Sequence, residues 1–515
     1  MTLLSEKLKV NELKAGVILS YLSLLLHSII GLFFAPYLLH KLGQAEYGVY
    51  SLAAVIIAYL TILDLGFFNT IVRYTAKFRE EQKIDQQYEL FGMFLRLYLM
   101  LGSVAFLGGM LVALNVEFFF HKTMNADELW QTKVMLIILS CNLGITFPLS
   151  IFGAIIMAYQ RFLALKGVQV LRQIIQTGCM ILILEFGFKA IGLVVITTLF
   201  NCLVLGYQYW YCKKYLNVQI SYKNFNWILF REIMAYSFFV FLGTIMDKIF
   251  WNTGQFVLGM FVSTTAVAIF TLALQLEQIY MSCSGALSGV FFPKVTAMVA
   301  AGRSPQELSL LFIKIGRLQF VFLAFMLTGF IIFGRQFIRL WVGEAYWESY
   351  WVALIIFSAL LVPLIQNVGI SILAARNQLK FRAYTYSFIA ILSLGLQVLG
   401  ALHWGAIGCA VAIAIALILG QGIIMNIYYY KKQQIDILHF WREIIRMAIV
   451  PICVGVLGYW LSNFWSAKNF TILVTQIILF SCCYIPACWL GTLNHTEREL
   501  FSKPLKILQK RIIKL

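Results

Sequence analysis

Long apolar runs separated by short polar connections repeat along almost the whole chain. Two of them, VILSYLSLLLHSIIGLFFAPYLL at 17–39 and AIGCAVAIAIALILGQGIIMNIYYY at 406–430, exceed the roughly 20 residues that a helix needs to cross a bilayer. Backbone N–H and C=O groups in lipid must be satisfied within the segment, so runs of this length are typical of transmembrane helices. The pattern predicts an all-α polytopic membrane protein.

About fourteen candidate spans can be separated. They lie at 15–39, 48–73, 90–116, 134–158, 168–187, 191–212, 233–260, 264–292, 309–334, 350–374, 385–404, 406–430, 446–466 and 469–491. The connections are short, and the longest outer segments, 117–133 and 335–349, leave no room for a soluble domain. MTLLSEKLKVNELKAG at the start is charged and unlike a cleavable signal peptide, so we expect the first span to be retained.

Composition and charge agree with this interpretation. Of the 515 residues 61% are hydrophobic and 12% charged, whereas soluble proteins carry about 25% charged residues. A net charge of +18 could suit nucleic acid, but its distribution argues otherwise. With the N-terminus inside, 31 of the 40 Lys and Arg, Arg172 among them, fall in inner loops and span ends, and 7 fall outside. This asymmetry follows the positive-inside rule, predicts cytoplasmic N- and C-termini, and indicates no nucleic-acid partner.

A weak internal repeat divides the chain. VYSLA at 49–53 matches IFTLA at 269–273, and YCKK at 211–214 matches YYKK at 429–432, with offsets of 220 and 218. We expect two six-helix lobes, 1–231 and 232–445, followed by two additional transmembrane helices within 446–491. Because six is even, the repeat is parallel, with a pseudo-two-fold axis along the membrane normal, as in several alternating-access transporters. The tail 492–515 fits a basic amphipathic segment on the cytoplasmic leaflet or a solvated tail that only fixes topology.

Ionisable residues inside the spans are few. They are His27, Asp64, Arg96, Asp247, Lys248 and Glu277, with Arg73 at the inner end of the second span. A charge at mid-bilayer costs roughly 3 kcal/mol, so such residues usually face a polar cavity or a partner. In the aligned repeat Asp64 corresponds to Ser284 and Arg73 to Pro293. The lobe architecture therefore does not require these two charges, which favours a functional role for them.

A family resemblance extends over essentially the whole chain, and the residues that carry it lie near the N-terminus. KAGVILSYLSLLLHSIIGLFFAPYLLHKLGQAEYGVYSLA is followed by DLGF, with Gly16, Pro36, Gly43, Gly48 and Asp64 as characteristic positions. In these residues and in its span order the chain resembles the polysaccharide-transport branch of the multidrug/oligosaccharidyl-lipid/polysaccharide exporter superfamily. The resemblance implies a flippase of the bacterial cytoplasmic (inner) membrane. It would move a polyprenyl-diphosphate-linked oligosaccharide, such as an O-antigen, capsule or exopolysaccharide repeat unit, to the outer leaflet. Membrane lipids and polysaccharide polymerase or assembly proteins would be its partners.

The implied substrate assigns roles to the intramembrane charges. A lipid diphosphate carries about two negative charges, so Arg73, Arg96 and Lys248 are candidate diphosphate contacts. Asp64, Asp247 and Glu277 are either counter-ions for these cations or sites for a coupling H⁺ or Na⁺. For His27 a packing role is favoured over a proton relay. No other cofactor is expected, and the scattered His and Cys residues predict no metal site.

Three other functions remain open, of which the first is a purely structural or assembly role, and the intramembrane charges argue against that role. A cation-coupled multidrug exporter of the same superfamily would have a net acidic cavity, whereas the deep acids and bases here are nearly balanced. A polytopic membrane enzyme of polysaccharide assembly is a more distant alternative. The chain has no large outer loop, no HExxH and no GxSxG in a strand–helix context, and we therefore expect no enzymatic activity.

Overall fold

The computed structural model describes residues 2–222, 227–464, 467–495 and 497–499, and within these ranges all regular structure is helical. The fold class predicted from the apolar runs is confirmed. The described residues form two compact units that divide between Thr271 and Leu272, apart from Ala401–Gly405, which group with the first unit. The predicted division into two lobes and two additional helices stays a prediction. Most of the predicted tail, from 500 onward, lies outside the described residues.

The first unit is built around one long central helix, α6. Its helices are α1 (Thr2–Leu42), α2 (Gln44–Leu60), α3 (Phe67–Glu80), α4 (Ile84–Leu114), α5 (Val116–Phe120), α6 (Ala126–Ala158), α7 (Phe162–Glu185), α8 (Ala190–Lys214) and α9 (Trp227–Phe261). Helices α2, α3, α4 and α8 pack against α6, and α1 packs against α7. Asn125 and Glu128 form a capping box that starts α6, with hydrogen bonds of 3.0 and 2.9 Å to each other's backbone N–H.

The second unit is organised around α11. Helix α10 (Thr264–Ala300) leads into it, followed by α11 (Pro305–Val342), α12 (Glu348–Ile365), α13 (Asn367–Ala375), α14 (Leu379–Leu417), α15 (Met425–Lys431), α16 (Ile437–Phe464) and α17 (Phe470–Gly491). Helices α12, α16 and α17 pack against α11. Ser304 and Glu307 form the capping box of α11, with Pro305 in its first turn, where the missing N–H costs nothing.

Twelve helical segments in the described ranges are long and apolar enough to cross a membrane, against about fourteen predicted spans. One of the twelve, Leu379–Lys431, has 53 residues, or about 80 Å of helix, which is far longer than a single crossing needs. It covers the predicted spans 385–404 and 406–430, and its helical geometry is interrupted between them at Gly405 (φ 56°). The predicted seventh span, 233–260, lies within α9, which was not among the twelve.

Candidate functional site

The predicted second span, 48–73, is not one continuous helix. Helix α2 ends at Leu60, a single turn of 3₁₀-helix covers Thr61–Asp64, and α3 begins at Phe67. Leu65 (φ 53°) and Gly66 (φ 72°) adopt the left-handed conformation, which breaks the helix. The predicted span lies within the membrane-spanning segment Gln44–Glu80, and its helix is broken at the DLG sequence, which permits this turn within an apolar run. At the aligned position of the repeat, Ser284 lies inside the continuous helix α10.

Asp64 stabilises this break. Its carboxylate lies beside the backbone N–H groups of Gly66 and Phe68, at the start of α3. Tyr98 of α4 is fully buried, and its hydroxyl donates to Oδ1 of Asp64 at 2.7 Å. The first N–H groups of a helix lack intrahelical partners, and water is absent from the bilayer core. The carboxylate of Asp64 therefore caps a half-helix within the membrane-spanning region.

Arg73 lies on α3, nine residues after Asp64. The turn at Leu65 and Gly66 separates the two residues, and the carboxylate of Asp64 accepts a hydrogen bond from Tyr98. Arg73 is exposed and lies midway along α3. The two residues that the sequence singles out in this segment thus belong to different parts of it.

Arg96 contacts the connection between α8 and α9. Its Nη2 donates to the backbone oxygen of Tyr222, and its guanidinium lies 5.5 Å from the centroid of the Tyr222 ring. The same connection is held to α4 by the N–H of Ser221, which donates to the backbone oxygen of Tyr88 at 3.1 Å. Arg96 therefore fastens a loop to α4, and its side chain remains exposed.

Asp247 and Lys248 are neighbours on α9. Asp247 is exposed, whereas Lys248 is half-buried and forms no hydrogen bond or ion pair with a residue in the described ranges. Successive residues of a helix point about 100° apart, so the two side chains face different directions. Lys248 is thus a half-buried cation without a described counter-ion.

Glu277 lies on α10 in the second unit and is 4% exposed. Its Oε1 atom is buried and forms no hydrogen bond with any part of the chain that the structure describes. A buried carboxylate without a partner is costly in its charged form, and it gains stability from a proton or a bound cation. Such a position suits the predicted role of coupling-ion site, which remains a prediction.

His27 is exposed on α1, a helix whose apolar span is largely uncovered within the structure. Neither the predicted packing role nor the proton relay is tested by this position. Among the described residues, no three His, Cys, Asp or Glu side chains cluster closely enough to hold a metal ion.

The structure also contains a polar network that sequence reasoning missed. On α7, Nε of Arg172 donates to Gln176 at 2.9 Å and Nη1 donates to Oδ1 of Asn201 on α8 at 3.4 Å. The Nδ2 atom of Asn201 in turn donates to Oδ1 of Asn142 and to Oγ1 of Thr146 on α6, both at 2.7 Å. Three helices thus contribute to one connected polar cluster, the Arg172 network.

The charge pattern predicts that Arg172 lies at a helix end, but the structure places it inside α7. It is ten residues from the first residue of α7 and thirteen from the last, and Asn142 is sixteen residues from either end of α6. The signal was present in the sequence LRQIIQ, where Arg172, Gln173 and Gln176 share one side of a helix. The count of inner Lys and Arg residues included Arg172 in the loop before α7, because Arg172 follows Arg161 and Lys166 closely in the sequence.

Another cation, Arg317, is buried and is paired with carboxylates that belong to other segments of the second unit. This side chain on α11 is 5% exposed and donates to both carboxylate oxygens of Glu497, at 2.7 and 3.0 Å. It also pairs with Glu443 of α16 and donates to Asn494 at 2.7 Å. Arg317 therefore joins α11, α16 and the segment after α17.

An apolar groove of about 680 Å³ lies between α11, α16 and α17 in the second unit. Its lining includes Phe333, Leu457, Leu461, Leu479 and Phe480. The surface is suited to an aliphatic chain.

Comparisons with known proteins agree with the architecture. The "lipid II flippase MurJ" in an inward closed conformation superimposes with a TM-score of 0.71, at 14% identity, covering 95% of this chain and 99% of that one. An inward-facing "multidrug resistance MATE family transporter of the MOP superfamily" gives a TM-score of 0.62 at 12% identity, covering 82% of this chain and 96% of that one. The "uncharacterized membrane protein EpsK" of Bacillus subtilis (strain 168) is 21% identical over 492 residues, covering 93% of this chain and 95% of the relative.

Fold and helix pattern together define a polytopic membrane protein with the fold of these transporters. A family model described as "polysaccharide biosynthesis protein" matches residues 13–299, which is more than half of the sequence. The chain belongs to this family, and the resemblance seen in the N-terminal residues is confirmed.

Proposed function

We propose that the protein is a flippase of the bacterial cytoplasmic membrane. It moves a polyprenyl-diphosphate-linked oligosaccharide from the inner to the outer leaflet by alternating access, with both termini in the cytoplasm. The observation that carries this proposal is the family match, joined to a fold similar to that of a lipid II flippase over 95% of the chain. The role is that of a transporter, not of an enzyme, and polysaccharide polymerases would consume the product outside.

The cations supply the contacts that an anionic head group needs. Lys248 is the strongest of the three predicted contacts, because it is half-buried and has no counter-ion among the described residues. Arg96 holds the backbone of Tyr222, and we assign it a supporting role at the inner side. Arg73 is exposed on α3 and would attract the diphosphate electrostatically.

The acids divide into two roles. The carboxylate of Asp64 already contacts Tyr98 and the start of α3. These contacts support the role of a fixed counter-charge and not that of a coupling site. Glu277 is buried with an unpartnered oxygen, which supports coupling to H⁺ or Na⁺. Asp247 stays a counter-ion candidate. The apolar groove beside α17 would accept part of the prenyl chain.

Coupling is not a thermodynamic requirement for this transport. An inside-negative potential favours outward movement of anions by about 2.3 kcal/mol per charge per 100 mV. Two charges that cross completely would gain about 4.6 kcal/mol at 100 mV. Uniport is therefore sufficient to drive outward transport, because polymerisation outside removes the transported lipid.

The second candidate function is cation-coupled export of a small molecule. It is favoured by the similarity to multidrug transporters in fold and by the buried carboxylate of Glu277. The two functions differ in the charge of their substrates, since drug exporters of this kind carry cationic amphiphiles.

Reconstituted protein separates the two candidates. Proteoliposomes are prepared with wild-type protein, with Lys248→Ala or with Lys122→Ala, a control at an exposed position. Each preparation is assayed with a labelled polyprenyl-diphosphate oligosaccharide and with a cationic dye. The flippase proposal expects movement of the glycan lipid that Lys248→Ala slows at least tenfold and Lys122→Ala leaves unchanged. Movement of the dye alone would overturn it and assign the protein to drug export.

A further inference from the structure

We propose that the Arg172 network of the first unit is a binding site for a phosphate-type oxyanion, which in transport is the diphosphate of the carrier lipid. This inference rests on the proposed flippase function and adds a site that was not among the residues singled out from the sequence. Its basis is a half-buried guanidinium that polar, uncharged side chains orient and that lacks a counter-ion within the described ranges.

The charge of Arg172 is uncompensated. Its hydrogen-bond partners, Gln176 and Asn201, are both neutral amides, and it forms no ion pair with any described residue. Arg317, by contrast, is paired with the carboxylates of Glu443 and Glu497. Burying a cation without a counter-ion raises the free energy of the protein, and a bound anion would offset this cost.

Donor groups of Arg172 remain for a ligand. A guanidinium has five N–H donors. Hydrogen bonds to described residues use Nε and Nη1, and Nη2 makes none with them. Because guanidinium donors lie in a fixed planar fork, they bind two phosphate oxygens at once, as a lysine ammonium does not.

The neighbouring amides fix the orientation of the guanidinium. Asn201 donates through Nδ2 to Asn142 and Thr146, and its Oδ1 atom is therefore directed to Arg172. Thr146 is itself fixed, since its hydroxyl donates to the backbone oxygen of Asn142 at 2.7 Å. A cation held in place by such a network loses little conformational entropy when it binds an anion.

On both α7 and α8 the network residues lie on a different side of the helix from the exposed apolar residues. Helix α7 has an exposed apolar side, formed by Leu171, Ile174, Ile175 and Leu182. At 3.6 residues per turn, the side chains of Arg172, Gln173 and Gln176 point on average about 130° away from this apolar side. On α8, Asn201 lies opposite the exposed Leu199 and Leu203. Because the network residues are half-buried and lie away from the exposed apolar sides of α7 and α8, an aqueous cavity is the environment that would let a ligand reach them.

Binding measured in detergent tests this site without transport. The probes are farnesyl diphosphate, inorganic pyrophosphate and the uncharged farnesol. The variants are Arg172→Gln, Arg172→Lys and Asn201→Asp, which places a carboxylate where an amide oxygen lies 3.4 Å from the guanidinium. Arg161→Gln is the matched control, because it removes an arginine that pairs with Glu12 before α7 begins. Thermal unfolding of each variant verifies that it is folded.

We expect Arg172→Gln and Asn201→Asp to weaken binding of farnesyl diphosphate about 10- to 100-fold, with Arg172→Lys intermediate and Arg161→Gln unchanged. If pyrophosphate shows the same dependence on Arg172, the site recognises the free anion. If only farnesyl diphosphate does, the site requires the lipid-attached head group. Equal affinities of wild type and a folded Arg172→Gln for both anions would overturn the site, as would farnesol binding as tightly as farnesyl diphosphate.

Transport of the labelled glycan lipid by the same variants keeps the two proposals separate. If wild-type protein moves the glycan lipid and a folded Arg172→Gln moves it equally fast, the Arg172 site fails and the flippase function stands. If wild-type protein moves no glycan lipid but binds diphosphate through Arg172, the flippase function fails and an anion site of another transporter remains.

Discussion

The hydroxyl of Tyr98 donates a hydrogen bond of 2.7 Å to Asp64 at the point where the second membrane-spanning segment breaks. The contact joins α4 to the start of α3, within a cluster of buried aromatic residues that includes Phe67 and Phe94. A carboxylate inside an apolar run is thus explained by the backbone N–H groups that it caps and by the phenol that it holds.

Tyr98→Phe tests this contact. The substitution removes only the hydroxyl, and a hydrogen bond to a charged group contributes about 1.5–3 kcal/mol. We expect a lower melting temperature of the purified protein in detergent. Tyr88→Phe on the same helix is the control, because its hydroxyl makes no hydrogen bond with the described residues. Equal melting temperatures for Tyr98→Phe and wild type would show that the contact does not hold the break.

The segment also carries a functional prediction for transport. We expect Asp64→Asn and Arg73→Gln each to reduce glycan-lipid movement several-fold at normal expression, since both alter the charge near the proposed substrate path. The measurement is transport per reconstituted molecule. If both variants transported at the wild-type rate, neither charge would contribute to function.

Arg317 is expected to govern stability. Replacing it with Gln removes the cation paired with the buried Glu497 and leaves Glu443 with the exposed Arg446 alone, and breaking a buried pair in this way costs about 3–5 kcal/mol. Arg446→Gln removes an exposed arginine that lies 3.5 Å from the same Glu443, and exposed pairs contribute about 0–1 kcal/mol. Thermal unfolding in detergent compares the two. A similar small decrease in melting temperature for both variants would show that Arg317 does not hold α11, α16 and the segment after α17 together.

Gly48 is expected to be intolerant of a side chain. A Cβ atom there would overlap the backbone carbonyl of Thr264 at the start of α10, so Gly48→Ala must displace backbone and should cost about 1–3 kcal/mol. Gly178→Ala on α7 meets no atom, and we expect it to be neutral or stabilising. Melting temperatures that fall equally for both would indicate a general helix effect instead of the close approach.

Glu277→Gln tests ion coupling. If Glu277 binds a coupling H⁺ or Na⁺, the variant should transport without the dependence on a pH or Na⁺ gradient that the wild type displays. Glu344→Gln, at an exposed side chain, is the matched control. A wild type that responds to neither gradient would instead support uniport, and a variant that keeps the gradient dependence would exclude Glu277 as the coupling site.

The helices follow from the sequence because lipid selects runs of sufficient length, whatever their detailed composition. The break at Gly405 lies at the boundary predicted between the spans 385–404 and 406–430. The break at Leu65 did not follow, since it interrupts an apolar segment whose hydrophobicity is unchanged. Sequence reasoning located Asp64, Lys248 and Glu277 as deep ionisable residues. It could not identify Tyr98 as the partner of Asp64, because that pairing depends on how α4 packs beside α3.

The cations illustrate the same limit. Arg317 and its partner Glu497 are 180 residues apart, and nothing local to either predicts the pair. Arg172 was assigned to an inner span end because charge counting follows loops, whereas its polar neighbours Gln173 and Gln176 indicate a face within the helix. Periodicity of polar residues inside a span would have been the better guide.

The central claim is outward movement of a lipid-linked glycan diphosphate, and transbilayer movement measured with wild-type protein tests it most directly. Proteoliposomes are loaded on one leaflet with labelled polyprenyl-diphosphate oligosaccharide, and the label reaching the other leaflet is followed with and without an imposed potential. We predict movement that depends on protein and becomes faster when the potential draws anions outward. A rate equal to that of protein-free liposomes, under conditions in which the protein transports a cationic dye, would contradict the account.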